Sequence, residues 1–201
     1  QSGQQIVQNG NGLFADYYNN GGKAMEGMVK SGQPTGDWKE YYENGSLKEI
    51  GRYENDDYLI KDFWSNSGEH LISKGTGWRR NWYDSGQIKD EVWYRNGKAD
   101  GYFYSNYPSG EDSAMMRYVA GKLNGTAITW HENGVKASYG EFVDDKPDGR
   151  WIYWFDNDRP DSVFTFKAGE KHGTQYRWSD IGVIVREEDY DNGKLVAERM
   201  R

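Results

Sequence analysis

The 201-residue chain contains no cysteine. That excludes disulfides, a thiol nucleophile and a lipid-anchored cysteine. Proline is scarce at 4 residues, so the turns have to be built on something else. No run approaches the ~18 apolar residues of a membrane-spanning helix. No segment keeps the apolar i, i+3, i+4, i+7 spacing of an amphipathic helix. Positive charge is in the minority: 25 Lys and Arg stand against 32 Asp and Glu, a net charge of −7. A surface of that sign repels phosphate, which argues against nucleic acid as a partner and leaves membrane contact to be made through a partner only. Apolar residues are few as well, at 35% with a mean hydropathy of −1.04, a balance that taken alone suggests disorder.

What is present reverses that suggestion. Aromatic residues make up 16% of the chain, with 9 Trp and 16 Tyr, and disordered chains are poor in them. Glycine is abundant at 26 residues and takes over the turns. Large amphipathic rings in a thin core, under much polar surface, reconcile these numbers.

The glycines recur with a period. Gly12, Gly36, Gly77, Gly101, Gly125, Gly149 and Gly173 each open a similar unit, and five of the six spacings are 24 residues. The sixth, from Gly36 to Gly77, spans 41 residues and leaves room for a shortened unit around Phe63, Trp64 and Gly68. Counting the opening glycine as position 0, position 5 is a ring in Tyr17, Tyr41, Trp82, Trp130, Trp154 and Trp178, with Trp64 its counterpart in the short unit. Position 9 is glycine in most units, and position 17 is apolar or aromatic (Val29, Tyr53, Tyr94, Tyr118, Phe142, Phe166 and Tyr190). Strand, glycine turn, strand and second glycine turn is the local reading. Asn44-Gly45, Asn96-Gly97, Asn133-Gly134 and Asn192-Gly193 are dipeptides favoured in tight hairpins, since both residues tolerate positive φ. A 24-residue hairpin cannot bury its own rings, so neighbours have to pair edge to edge. The expected fold is all-β: an elongated single-layer antiparallel meander of about eight stacked hairpins. Its units start near 12, 36, 59, 77, 101, 125, 149 and 173 within a repeat domain of residues 12–193. Residues 1–11 form an N-terminal tail or cap and 194–201 a C-terminal edge.

The consensus reads G-x-W-x-x-Y-Y-x-N-G-x-L-K. The second unit, Gly36-Asp37-Trp38-Lys39-Glu40-Tyr41-Tyr42-Glu43-Asn44-Gly45-Ser46-Leu47-Lys48, carries it most fully. This resembles the MORN-repeat variant of bacterial proteins grouped as YwqK-type antitoxins of toxin–antitoxin systems, and the likeness runs from about Gly12 to Gly193. The resemblance implies sheet edges and grooves that bind protein, with no catalytic residue and no cofactor to carry over. It also implies an alternative role, a cytoplasmic antitoxin that masks a toxin.

The residues divide by face. The position-5 rings, Trp82, Trp130, Trp154 and Trp178 among them, are expected in the core, because stacking needs a ring at a constant offset. Neighbouring residues on a strand face opposite sides. Trp38, Tyr42, Tyr83, Phe103, Tyr107 and Trp151 therefore lie on the second face and are the candidate partner-binding residues, on the reasoning that exposed apolar patches mark interaction sites. A glycan stacking on the same rings is the remaining ligand reading. His70, His131 and His172 occupy three different offsets, so no histidine metal site is expected. The acidic stretch from Asp156 to Asp161 lacks the central glycine of a calcium loop and reads as a solvated turn. No Gly-x-Ser-x-Gly elbow or phosphate-cradling loop occurs, and no enzyme activity is expected. The functional expectation is a scaffold for a protein partner, within a larger complex. The polar Gln-rich start and absent cysteine suggest an exported protein of the bacterial periplasm or cell surface, with the cytoplasm as alternative.

Overall fold

The computed structural model describes residues 6–8, 10–55 and 57–200, and among these it contains strands and turns but no helix. Residues 1–5 and 9 of the expected N-terminal cap, residue 56, and residue 201 of the C-terminal edge lie outside the described residues. The chain is an antiparallel hairpin meander that divides into two compact units, Gln1–Arg80 with Trp93–Ala99, and Asn81–Val92 with Asp100–Arg201. Unit 1 holds β1 (Ile6–Gln8), β2 (Asn11–Tyr17), β3 (Lys23–Lys30), β4 (Gln33–Tyr41), β5 (Leu47–Glu54), β6 (Asp57–Trp64) and β7 (His70–Ser73). Strands β8 (Thr76–Trp82), β9 (Ile88–Arg95) and β10 (Lys98–Asn106) each give residues to both units. Unit 2 continues with β11 (Asp112–Val119), β12 (Lys122–Trp130), β13 (Lys136–Val143), β14 (Lys146–Trp154) and β15 (Pro160–Lys167). It ends with β16 (Glu170–Lys171), β17 (Gly173–Trp178), β18 (Ile184–Asp191) and β19 (Lys194–Met200).

The repeat is a repeat of register. The opening glycine pairs with position 17 of its own hairpin in Gly12–Val29 and Gly36–Tyr53. The same pairing recurs in Gly101–Tyr118, Gly125–Phe142, Gly149–Phe166 and Gly173–Tyr190. Each of these hairpins shifts register between positions 4 and 5, as between Glu40 and Tyr41 or Thr129 and Trp130. Side chains at positions 0, 2 and 4 thus share one face with 17, 15 and 13, which we call the glycine face. Positions 1 and 3 share the reverse face with 16 and 14.

Two kinds of turn alternate, and they separate the Asn-Gly dipeptides. In Asn96-Gly97 and Asn192-Gly193 both residues have positive φ, the geometry of a two-residue hairpin turn. Asn44-Gly45 and Asn133-Gly134 sit in longer turns where only the glycine has positive φ. There the asparagine acts through its side chain: Ser46 N–H donates to Asn44 Oδ1 at 2.9 Å and Val135 N–H to Asn133 Oδ1 at 3.1 Å.

Burial differs from the sequence expectation. Of the position-5 rings, Tyr17 and Trp82 are exposed, and Trp130, Trp154 and Trp178 are only half-buried on the reverse face. The better-packed rings are at position 2 on the glycine face. Trp38 lies over Gly27, where a Cβ would meet the indole at 2.1 Å, and Trp151 lies over Gly140 in the same way at 2.1 Å. In a single layer a ring has no opposing sheet to enter, so it is covered by lying across a strand that lacks a side chain. The short unit supplies a cluster of buried apolar residues in unit 1, Ile60, Phe63 and Ile72. Strand β7 is too short to pair with all of β6, and the β9–β10 turn completes the ladder, with Ile60 N–H donating to the Gly97 carbonyl at 3.0 Å.

Filling one of these gaps tests the packing. Gly140→Ala drives a Cβ into the Trp151 ring, and overpacking of that kind costs about 1–3 kcal/mol. Urea unfolding should show a lower midpoint with an unchanged slope; an unchanged midpoint contradicts the arrangement.

Candidate binding surfaces

The six candidate residues fall into two structural kinds. Tyr42, Tyr83 and Tyr107 stand at position 6, where β4, β8 and β10 run into the longer turn. Each hydroxyl donates to a backbone carbonyl of the following repeat: Tyr42 to Trp64, Tyr83 to Asn106 and Tyr107 to Trp130, all at 2.8 Å. Tyr18 does the same to Tyr41 at 2.6 Å, and His131 Nε2 makes the equivalent bond to Trp154 at 2.8 Å. These side chains staple one repeat to the next, and their polar atoms are engaged within the fold. The signal was in the sequence as a Tyr or His recurring at one offset.

Trp38, Phe103 and Trp151 are the position-2 rings. Trp151 is only 7% exposed, against an expectation of exposure, because Gly140 makes room for it and its Nε1 donates to the Glu141 carbonyl at 3.2 Å. Phe103 is half-buried, edge-on to Tyr118 with centroids 6.5 Å apart. Trp38 is half-buried too, but it borders open space. In unit 1 it joins a run of rings, 5.7 Å from Phe14 and 5.8 Å from Tyr53, with Tyr53 4.7 Å from Tyr58. Phe14, Met25, Val29, Pro34, Trp38 and Tyr53 line an open hollow of about 440 Å³. The six candidates divide between the units: Trp38 and Tyr42 belong to unit 1 and the other four to unit 2.

A buried polar group in unit 1 was not anticipated. Glu49 is 1% exposed on the glycine face. Its Oε1 accepts from the Tyr58 hydroxyl at 2.9 Å, and its Oε2 lies 3.4 Å from Arg79 Nη2. Arg79 stands at position 2, where other repeats place Trp38 or Trp151, and its guanidinium covers the Phe63 ring at 5.3 Å. Burial pushes the Glu49 carboxyl above its usual range, opposed by the Arg79 charge and the Tyr58 hydrogen bond. Burial acts downward on Arg79, but Glu49 and Tyr94 together hold it above its ordinary value. A lone glutamate at a strand centre gives no sequence signal of this kind.

The histidines take separate partners. His70 Nε2 lies 2.9 Å from Asp62 Oδ1, His131 is a staple, and His172 Nδ1 is 3.8 Å from Asp191. Among the described residues no group of three His, Cys, Asp or Glu side chains is placed to hold a metal ion. The acidic turn after Trp154 is held by Arg159, whose backbone N–H donates to Asn157 Oδ1 at 3.1 Å and whose guanidinium donates to the Asp180 carbonyl at 2.9 Å.

With that geometry in view, residues 34–55 match the family model described as MORN repeat variant. The match covers the β4–β5 hairpin, the unit in which the consensus is most complete, and the register of that hairpin recurs in both units. No curated protein is significantly similar to the chain. Among solved structures the chain is similar to "Crystal Structure of TcdB2-TccC3-Cdc42", at 12% identity and a TM-score of 0.22 over 92% of this chain. A second is "Crystal Structure of TcdB2-TccC3 without hypervariable C-terminal region", at 11% identity and a TM-score of 0.22. The chain spans about 12% of the length of either, and a likeness at that TM-score carries no argument about function.

The buried acid has a definite pH signature. A carboxyl whose folded pKa is raised binds its proton more tightly in the native state. Its contribution to stability is complete below the unfolded value near 4.5 and is lost as the pH climbs through the raised folded value. Glu49→Gln removes that term. Unfolding free energies measured from about pH 4 to neutrality should fall more with rising pH in the wild type than in the variant; parallel curves contradict the placement of Glu49.

Proposed function

We propose that this chain is a non-catalytic repeat scaffold that holds a protein partner, and that the hollow bounded by Phe14, Trp38 and Tyr53 receives an apolar anchor of that partner. MORN repeats are generally protein- or membrane-interaction scaffolds, and residues 34–55 carry that repeat. The hollow is the observation that carries the reading. Its volume of about 440 Å³ suits one or two large side chains, and its walls are almost wholly apolar or aromatic in a chain whose mean hydropathy is −1.04. A few buried aromatic and aliphatic anchors supply most of the binding energy in protein interfaces. The reading extends to a place in a cell-envelope assembly, a part that fractionation of the native source decides separately.

Charging the hollow tests the proposal. Val29 lines it on the glycine face, whereas Met28, 49% exposed, points to the reverse face of the same strand. Val29→Asp should reduce cross-linked capture of the native partner by about tenfold while Met28→Asp leaves it intact, with both variants melting close to the wild type. Equal capture by Val29→Asp and the wild type overturns the assignment.

A further inference from the structure

The reverse face of unit 2 carries a row of apolar side chains that the repeat alone does not require. Met115 pairs with Ile128, Ile128 with Tyr139, Tyr139 with Ile152, Ile152 with Val163, and Val163 with Tyr176. One apolar residue per strand thus crosses six strands without a polar interruption. Val163 is buried and the other five are half-buried. Among the described residues of unit 2 there is no second layer to cover them.

Two further rows run beside this one. The position-5 rings Trp130, Trp154 and Trp178 recur once per repeat. Trp154 shares the reverse face, since Lys136 Nζ lies 5.6 Å from its ring and 5.7 Å from that of Tyr139. Trp178 does so through Tyr176, 5.8 Å away. Two residues further along each repeat, in the turn, are the exposed carboxylates Glu132, Asp156 and Asp180. None of the three makes an ion pair among the described residues, although the Asp156 and Asp180 backbones are tied down by Asn133 and Arg159. Unit 2 also holds the whole net charge of −7, unit 1 being balanced.

The period of these rows selects an occupant. Equivalent positions in successive hairpins are two strands apart, about 9.6 Å. Seven residues of α-helix advance about 10.5 Å. A helix lying across the strands therefore meets the apolar row, the tryptophans and the carboxylates in phase with its heptads. Resting on the scaffold reading, but on the other unit and the other face from the hollow, we propose that the reverse face of unit 2 binds an amphipathic α-helix. Its apolar stripe covers the row from Met115 to Tyr176, and Lys or Arg spaced seven residues apart pair with Glu132, Asp156 and Asp180. Unpaired carboxylates favour a basic partner over a neutral glycan on the same tryptophans, and a basic flank also supplies the charge opposite to that of unit 2.

The test uses the full chain and a synthetic three-heptad peptide of about 21 residues, with leucine on one face and lysine at every seventh position beside it. Tryptophan fluorescence and calorimetry should register saturable binding at low salt. Moving the lysines to a six-residue spacing, or replacing them by glutamate, should weaken it by about tenfold or more. Glu132→Gln, Asp156→Asn and Asp180→Asn combined should do the same and flatten the salt dependence. These are exposed turn carboxylates, so the fold is not at stake. Equal binding of the re-spaced peptide, indifference to the triple change, or no binding at low salt each overturns the proposal. Saturable quenching by a soluble glucan with no response to the peptide would also overturn it, in favour of a sugar platform. Capture unchanged by Val29→Asp with saturable peptide binding overturns the hollow reading alone, and capture lost by Val29→Asp with no peptide binding overturns the helix proposal alone.

Discussion

A single sheet layer has two faces and no interior, and that constraint governs how this chain is built. A large ring cannot be buried between layers, so it is buried across strands, over a position where the neighbouring strand has no side chain. Gly27 under Trp38 and Gly140 under Trp151 are the direct expression of this. The ladder to the strand that carries the ring shifts register at these glycines, between Gly27 and Met28 and between Tyr139 and Glu141. The scheme also explains a chain whose mean hydropathy is −1.04 yet which folds: area per ring, not number of apolar residues, supplies the burial.

Where a repeat departs from the pattern, a polar side chain takes the position and brings its own partners. Gln175, 1% exposed, occupies position 2 of the last full repeat. Strand β15 pairs with β16 and then with β17, leaving an interruption beside Thr165. The Gln175 amide fills it, accepting from Thr165 N–H at 2.8 Å and donating to the His172 and Gly173 carbonyls at 3.1 and 3.0 Å. Arg79 with Glu49 and Tyr58 is the corresponding solution in unit 1. Buried polar groups of this kind are tolerated because each finds a partner. They fix the register at irregular places, where glycine and ring no longer do so.

Much of this architecture was legible in the sequence. The 24-residue spacing located the hairpins, and the glycine dipeptides located the turns. Strand alternation set Trp38, Phe103 and Trp151 opposite the position-5 rings, and the register does the same, whereas Tyr42, Tyr83 and Tyr107 stand just beyond the ends of their strands. Which face is better covered was not legible from the recurrence of rings, since Trp82 recurs as faithfully as Trp38 and is 36% exposed. The missing information was on the adjacent strand, in Gly27 and Gly140, and became meaningful only with the register. Tyr42, Tyr83 and Tyr107 were read as rings facing a partner because a tyrosine displays its apolar body in sequence, whereas its hydroxyl finds a carbonyl only in three dimensions. Surface function was the least legible of all. The hollow beside Trp38 depends on the glycine that lies under the ring, and the apolar row of unit 2 on the register of six strands.

Successive repeats are thus joined by strand pairing, by rings laid over glycines and by hydroxyl staples at the turns, and the account requires them to hold one another in place. Hydrogen exchange on Tyr107→Phe probes this most directly, since the lost hydroxyl belongs to one repeat and its acceptor, the Trp130 carbonyl, to the next. Amide protection should fall together in residues 101–106 and in Lys122–Trp130. Loss confined to the turn that follows Tyr107, with Lys122–Trp130 as protected as in the wild type, would show that the repeats stand independently and would contradict the account.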